Sequence, residues 1–512
     1  METNGPNVFT DPDAFYHFRI SAGELYSRDP HFLRITLNDI AKTVPVLGSL
    51  IENEIDALLN APHEQQRFIL DEITKVAASS FEFSAALRQH AESYALQFCA
   101  DFVAAFNKTT GSKVLFVCGR PYFQIMREAQ ALRKQGFSTA LVHLGDVSED
   151  IHEFIAQSFD LQLQLPENLL ILIAILSKLE AKLIHVQCWM HCFDLPLAPV
   201  VIQHKGSAKV ICEFYDLLTV FSEKWALAQY NPEFAEFNFY IDEYVWTHGD
   251  GFLVRAPKIA HDDLRARYKI TAPIIEMHPY PSRNIASGRK IDRKRSSGGI
   301  PNLVYAGSLT PLKADGKPHW PRYADGGGIL SAYTNIVEQG LNLTILHDPN
   351  KSLDHPDFAY YAERANKYPN FQLSNGVSPK KLSELLGQFD FGISVVDFTP
   401  TDLDVRPILF KTAVATKIFA YLEAGLPVIV NKEHEYTAEI IESNNLGFAV
   451  HSSKLGEIRS KIEAFDYEQC LEDIRTFNTN NTIEDKIGRV TDLYETVLSE
   501  MPTASIHDCP NH

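Results

Sequence analysis

From Lys113 onward the chain repeats one local pattern. Short apolar runs, each ended by a Gly or a polar turn, alternate with stretches of helical period. KVLFVCG (113–119) reads as a strand ending in Gly119. YFQIMREAQALRKQG (122–136) follows as an amphipathic helix with Gly136 at its C-cap, and STALVHLGD (138–146) is the next strand. A β-α-β unit is the building block of a parallel, doubly wound sheet. LLILIAILSKL, AKLIHVQC, LAPVVIQHKG, AKVICEFYD and GFLVRA continue the alternation, which predicts a first α/β domain over 111–280. A second begins at Pro301. NLVYAGSL, NLTILHD, NFQLSNG, FDFGISVVD, LPVIVN and GFAVHS are its strand-like runs, and the amphipathic IEDKIGRVTDLYETVLSE closes it near residue 500.

Two further segments frame these domains. Residues 1–110 put apolar residues at three- and four-residue spacing, as in HEQQRFILDEITKVAASS and AALRQHAESYALQFCADFVAAF. They hold no chemistry-bearing motif and are read as a helical extension that packs on a neighbouring domain or a partner. Residues 281–300 contain SRNIASGRKIDRKRSSGG, with six Arg or Lys against one Asp, and are read as an exposed basic linker. Attraction of phosphates or an anionic membrane surface is the functional alternative for that segment. The fold class expected is therefore α/β: two Rossmann-like domains facing a cleft, with an N-terminal helical extension. Open parallel sheets take ligands at the carboxyl ends of their strands, so the cleft is where function is sought.

Composition narrows the classes of partner. A formal net charge of −18 argues against nucleic acid, which needs a basic footprint. The longest purely apolar run, Leu169 to Leu176, is eight residues, far short of a bilayer span. The N-terminus lacks a basic start followed by an apolar stretch, so it does not read as a secretory signal. Seven scattered cysteines, an odd number in a large chain, imply no disulfide framework. A cytoplasmic protein is the simplest expectation.

The richest stretch for chemistry is ATKIFAYLEAGLPVIVN (415–431): a short helix, a cap at Gly425, then Pro427 leading a buried strand. Free N–H groups at a helix start, with Lys417 beside them, make a site for a diphosphate. A plain helix–turn–strand crossover is the alternative. KIFAYLEAGLPVI resembles the donor-binding motif of the GT-B glycosyltransferases, especially the large retaining family of bacterial polysaccharide enzymes. NLVYAGSLTPLK is similar to the first strand and loop of that family's C-terminal domain. FQLSNGVSPKKLSELLGQFDFGISVV is similar to its strand, Gly turn, helix and D-x-G-I strand, and EIIESNNLGFAV to the segment after the motif. The resemblance covers about 300–455 well, covers 113–280 loosely, and leaves out 1–110.

The resemblance implies a set of donor residues. Gly307 and Ser308 match the turn that lies against the donor phosphates, where a small residue permits close backbone approach. Many relatives carry Arg at the position of Ser308. Lys313 sits near the family's second basic phosphate ligand, and Lys417 matches the Lys of the motif. Ala420 departs from the pattern, since the family usually places a ribose-binding Glu there. Glu423 lies one turn later, and Ala415 supplies no acid in place of the first glutamate of the family's pair. These departures leave three options: donor binding through other groups, weakened binding, or a site that has lost its donor.

The first α/β domain offers further candidates. Gly119 and Arg120 follow its first strand, where a cation can meet an acceptor or a diphosphate; an ordinary exposed loop residue is the competing reading of Arg120. Glu213 and Asp216 end VICEFYD, where a carboxylate can stabilise an oxocarbenium-like centre or orient an acceptor hydroxyl, unless it serves as a cap or loop ion pair. His204, ending VVIQH, is a candidate for the sugar in the manner of the family's N-domain histidine. His185, Cys188, His191 and Cys192 are zinc-ligand types, but their spacing on a strand would point them to opposite faces, so no metal site is expected. DGGGILSAY (325–333) offers three glycines before a helix but lacks the Walker ending and the dinucleotide fingerprint. It is read as a turn, with a phosphate-cradling loop as the alternative.

Together these readings predict a glycosyltransferase. It would need no cofactor and would move a sugar from a nucleoside-diphosphate sugar to a saccharide, lipid-linked or protein acceptor, with peripheral membrane contact open. An epimerase of nucleotide sugars and a non-catalytic scaffold of the same fold are the alternatives.

Overall fold

The computed structural model describes residues 81–499 apart from 146, 167–168, 189–196, 229–231, 287–298, 313–327, 350, 378, 399–404. Lys313, His191, Cys192, most of the basic segment and the first two glycines of DGGG lie outside the described residues, as does HEQQRFILDEITKVAASS. Among the described residues no helix is long and apolar enough to cross a membrane.

The first sheet contains β1 (Lys113–Cys118), β2 (Ser138–Leu144), β3 (Leu161–Leu165), β4 (Leu183–Cys188), β5 (Lys209–Phe214), β6 (Gly251–Val254) and β7 (Ile274–Glu276). Their spatial order is β3-β2-β1-β4-β5-β6-β7. The pairs β1–β2, β2–β3, β1–β4 and β4–β5 are parallel. The second sheet contains β8 (Asn302–Ala306), β9 (Asn342–His347), β10 (Phe371–Asn375), β11 (Phe391–Ser394), β12 (Val428–Asn431) and β13 (Gly447–Val450). Its order is β10-β9-β8-β11-β12-β13, with every pairing parallel. The six strands of the second sheet and the first six of the first share one pattern, 3-2-1-4-5-6. That is the Rossmann order, whose strand order reverses beside the first strand. Two Rossmann-like α/β sheets are thus present, as the alternation predicts.

Burial explains the runs. A parallel sheet is covered on both faces, so its central strands are continuously apolar. Val114, Leu115, Phe116, Val117 and Cys118 of β1 are all buried, as are Val428, Ile429 and Val430 of β12. In the second sheet Leu303, Ile345, Phe391, Ile393 and Ile429 pack with Tyr333, Ile336 and Tyr361 from the helices in one core cluster. Cys99, Cys118, Cys188, Cys212 and Cys470 are buried free thiols, which act there as small hydrophobes.

One element departs from the expected alternation. LAPVVIQH is a helix, Leu197–His204, and not a strand. Pro199 is the physical reason. Its missing N–H is harmless in the first turn of a helix but would break a central strand ladder. Apolar runs alone do not separate the two cases. The apolar run Leu169–Leu176 is likewise a helix, almost wholly buried. The segment expected to be helical before Lys113 forms two helices, Phe81–Phe98 and Ala100–Lys108, broken at Cys99.

By internal contacts the chain forms two units that interleave in sequence. Among the described residues, one comprises those within 81–215, 240–252 and 492–499, the other those within 216–239 and 253–491. Within the first unit Tyr494, from the helix Gly488–Ser499, meets His185 of β4, with the phenol oxygen 2.6 Å from Nδ1.

Candidate functional site

The unit containing the second sheet holds a cavity of about 230 Å³ at the carboxyl ends of β8, β11 and β12. Tyr305 from β8, Ser394 to Val396 from the end of β11, and Val430 and Asn431 from β12 form its floor. Lys417 and Ala415 enter from the start of the motif helix, and His434 and Thr437 from the helix after β12. Its walls are mostly apolar, with a few polar groups, which is the usual make-up of a small-molecule site.

Each polar group is placed by a traceable cause. The motif helix runs Lys417–Glu423, and Gly425 turns the chain at a φ of 75° before β12 begins at Val428. This is the helix, glycine cap and strand expected of ATKIFAYLEAGLPVIVN. The positive φ is one that an L side chain adopts only with strain. Lys417 is the helix's first residue. Its Nζ donates to the Tyr305 hydroxyl at 3.1 Å and lies 4.4 Å from the Tyr305 ring centroid. The aliphatic part of Lys417 passes over the turn after β8. A methyl group at Gly307 would lie 3.3 Å from Lys417 Cε and from the Tyr305 hydroxyl. Gly307 therefore lets the turn and the cation approach closely.

Other residues brace this arrangement, and sequence reasoning missed them. Tyr421 is fully buried, and its hydroxyl accepts from Ala306 N–H at 2.9 Å and donates to the Ile393 carbonyl at 3.0 Å. It thereby ties the ends of β8 and β11. Burial pushes its pKa well up, which keeps the donor proton in place. Asn431 closes on the chain after β11: its Oδ1 accepts from Val396 N–H at 2.7 Å and its Nδ2 donates to the Val396 carbonyl at 2.9 Å. His347 accepts from Leu309 N–H at 3.1 Å and so holds the turn that follows Gly307. Burial lowers its pKa, which suits a neutral ring accepting at Nδ1. Burial likewise pushes His434 down to about 4, with Lys417 acting in the same direction, so His434 presents a neutral imidazole at neutral pH. Gly328 begins the helix Ile329–Glu338, and its N-terminal residues Ile329 and Tyr333 also line the cavity. A methyl group at Gly328 would meet the Asp397 carbonyl oxygen at 1.7 Å, so the last glycine of DGGG serves a close backbone approach.

The expected donor residues distribute unevenly. Lys417 lines the cavity, and Gly307 packs against it. Ser308 is exposed and its hydroxyl donates to Asp348 at 3.3 Å. Glu423 is buried and accepts from Ser282 N–H at 2.7 Å, so its carboxylate is committed to the backbone at 282 and does not line the cavity. The expectation of Glu423 among the donor-binding residues does not agree with this placement. Position on the helix decides it: three residues past Ala420 is about 300° around the turn. Ala420 is half-buried and Ala415 contributes only a methyl to the cavity wall.

The candidates from the first α/β domain also separate. Gly119 is buried and Arg120 exposed, in a loop that Gln187 pins by donating to the Arg120 carbonyl at 2.9 Å and accepting from Tyr122 N–H at 3.0 Å. Asp216 is exposed beyond the end of β5, 3.6 Å from Arg255. His204 ends a helix that runs back from the carboxyl edge, so it sits at the amino end of the strands, away from the ligand edge. That placement corrects the expectation of His204 at the sugar. Glu213 is a correction of another kind. It belongs to β5 and is 1% exposed, in contact with His185 and Gln124 in the core, so it meets no acceptor from solvent. Within that core Glu128, beside Glu213 and buried, has its pKa pushed well up by burial first and by the Glu213 charge second. Burial lowers His185 to about 4.

Residues 344–483 match the family described as glucosyltransferase 3-like, C-terminal domain. No curated protein matches the sequence. Among solved structures, the chain is similar to Anabaena Alr3699/HepE in complex with UDP-glucose. The identity is 11% and the TM-score 0.53, over 76% of this chain and 100% of that one. The same protein in complex with UDP and glucose gives 10% identity and a TM-score of 0.51, over 75% and 100%. The UDP-GlcNAc 2-epimerase of Neisseria meningitidis bound to UDP-GlcNAc is similar at 11% identity and a TM-score of 0.45, over 75% and 100%. Identities this low speak to fold. The chain has the two-sheet α/β fold of the GT-B glycosyltransferases, with its glucosyltransferase-like segment spanning the motif helix that carries Lys417.

Proposed function

We propose that this protein is a glycosyltransferase that binds a nucleoside-diphosphate sugar at the carboxyl edge of the β8–β13 sheet. One observation carries the reading: Lys417 lies over the Gly307 turn while lining a largely apolar cavity. A cation beside a glycine turn suits a diphosphate, and apolar walls suit a base or a sugar ring. Breaking a glycosyl–phosphate bond leaves charge on the departing diphosphate. Lys417 stabilises that charge, with Lys313 as a second cation. The step is a substitution at an acetal carbon with no redox change, so it calls for no cofactor. The acceptor is a saccharide, a lipid-linked sugar or a protein, met by Arg120 and Asp216 at the carboxyl edge of the first sheet. Glu213 and His204 leave the catalytic set for the reasons given above.

The test is calorimetric titration of UDP, GDP, ADP and dTDP, then their sugars, into the full chain and into Lys417→Ala. One nucleotide diphosphate should bind, and the variant should weaken it by about 10–100-fold, the value of one charge-assisted hydrogen bond. Absence of binding by the folded protein would overturn the reading in favour of a scaffold, with Ala415 and Ala420 marking the lost acids.

A further inference from the structure

The core of the first unit contains a polar cluster that sugar transfer does not use. Glu128 projects from the helix Phe123–Lys134, His185 from β4 and Glu213 from β5. Their side chains are buried to 1% exposure or less. One ligand-type atom from each residue lies within 4.8 Å of the others. His185 Nε2 is 3.3 Å from Glu213. Gln124, also fully buried, donates to both glutamates through Nε2.

Glu128 Oε2 and Gln124 Oε1 have no hydrogen-bond partner, and His185 Nε2 has only its 3.3 Å contact with the Glu213 carboxylate, which falls short of hydrogen-bond geometry. Such atoms are rare in a core, because each forfeits the hydrogen bond it had with water. Two carboxylates side by side in a dry interior are costlier still, unless a proton or a cation lies between them. A divalent ion would balance both charges and give Glu128 and His185 a partner at once.

We propose that Glu128, His185 and Glu213 form a buried site for one divalent transition-metal ion of the zinc class, with a second oxygen of one carboxylate completing four-coordination. The donor set, one imidazole nitrogen with carboxylate oxygens, is one that Zn²⁺ accepts in tetrahedral geometry. In a tetrahedral site, ligand atoms at about 2.0–2.2 Å from one ion stand about 3.3–3.6 Å apart, so the most separated atoms of the cluster would close by up to about 1.5 Å. The second imidazole nitrogen supports the assignment. Metal-bound histidines use their other ring nitrogen to donate to a fixed oxygen, and here Nδ1 faces the Tyr494 hydroxyl at 2.6 Å. The ion would thereby join two strands, a crossover helix and the helix Gly488–Ser499. Its role is structural, since no solvent reaches these side chains. The residues share only His185 with His185, Cys188, His191 and Cys192, the zinc-ligand types in the sequence that carried no expectation of a metal site.

The experiment is elemental analysis of the full chain purified without chelator, followed by thermal unfolding with and without added Zn²⁺ and by the visible spectrum of the Co²⁺-substituted protein. About one ion per chain is expected, together with a rise in Tm on adding Zn²⁺ to stripped protein. The Co²⁺ form should show the intense bands of a four-coordinate site. Glu128→Gln and His185→Gln should lose the ion. Tyr494→Phe should keep the fold and lower affinity by about 10–100-fold. If the ligand variants fail to fold, wild-type stoichiometry and the Co²⁺ spectrum decide. Metal-free wild-type protein whose Tm is indifferent to Zn²⁺ would overturn the proposal, leaving a proton shared between Glu128 and Glu213.

Discussion

Tyr421 shows how much a single side chain contributes to the carboxyl edge of the second sheet. Its ring lies against Gly392, where an added methyl would stand 2.3 Å from the Tyr421 ring, and its hydroxyl completes two backbone hydrogen bonds. Removing only that oxygen keeps the ring packing and strands the Ala306 N–H and the Ile393 carbonyl. Tyr421→Phe should therefore cost about 1–3 kcal/mol, the penalty of buried groups left unpaired. Urea denaturation with an unchanged m-value is the measurement; a loss well below 1 kcal/mol would mean that water replaces the hydroxyl. Lys417 contrasts with Tyr421. It contributes charge at the cavity more than packing, so Lys417→Ala should change ligand affinity with little change in unfolding free energy.

At the scale of elements, the constraint lies in how closely strand and helix approach. Gly392 on β11 is the contact point for the motif helix. Gly392→Ala would force the Tyr421 ring to move, and overpacking of this kind costs about 1–3 kcal/mol. The double variant Gly392→Ala with Tyr421→Leu should lose less than the sum of the two single losses in the same urea assay, because the clash is with the ring itself. Additive losses would place the strain elsewhere. The strands were legible in the sequence because burial on both faces makes them uniformly apolar, as with VLFVC and VIVN. The helix Leu197–His204 was not, since VVIQH has strand-like composition and only Pro199 signals otherwise. Lys417 and Gly307 were legible as a motif and a turn. Tyr305, Asn431, His347 and His434 were not, because strand order rather than sequence spacing brings them together. Glu213 was misread for a related reason. Its place near the end of β5 was visible in the sequence, but the face to which it points depends on strand register.

At the scale of the whole molecule, the unit bearing the second sheet is built from segments far apart in the chain, and Arg406 fastens three of them. Its guanidinium donates to the Val220 carbonyl at 2.8 Å and reaches Glu223 at 3.3 Å. It grips Asp263 with two hydrogen bonds at 3.0 and 2.9 Å. Those bonds hold the Asp263 carboxyl below the usual aspartate range, and raise the pKa of Arg406 in turn. A carboxylate whose folded pKa is depressed stabilises the fold above the pKa of the unfolded chain, and loses that contribution as pH falls through the folded value. The pair is partly screened by solvent, with side chains 21% and 24% exposed, so its contribution is about 1 kcal/mol. Asp263→Asn should accordingly be less stable than wild type by about that amount from about pH 8 down to about pH 5, and the gap should close below about pH 4. Unfolding free energies of both proteins, measured across that range at fixed ionic strength, check the sign. A gap that widened in acid would mean that Asp263 is protonated more readily in the folded state than in the unfolded chain, and that Arg406 holds these segments through Val220 and Glu223 instead.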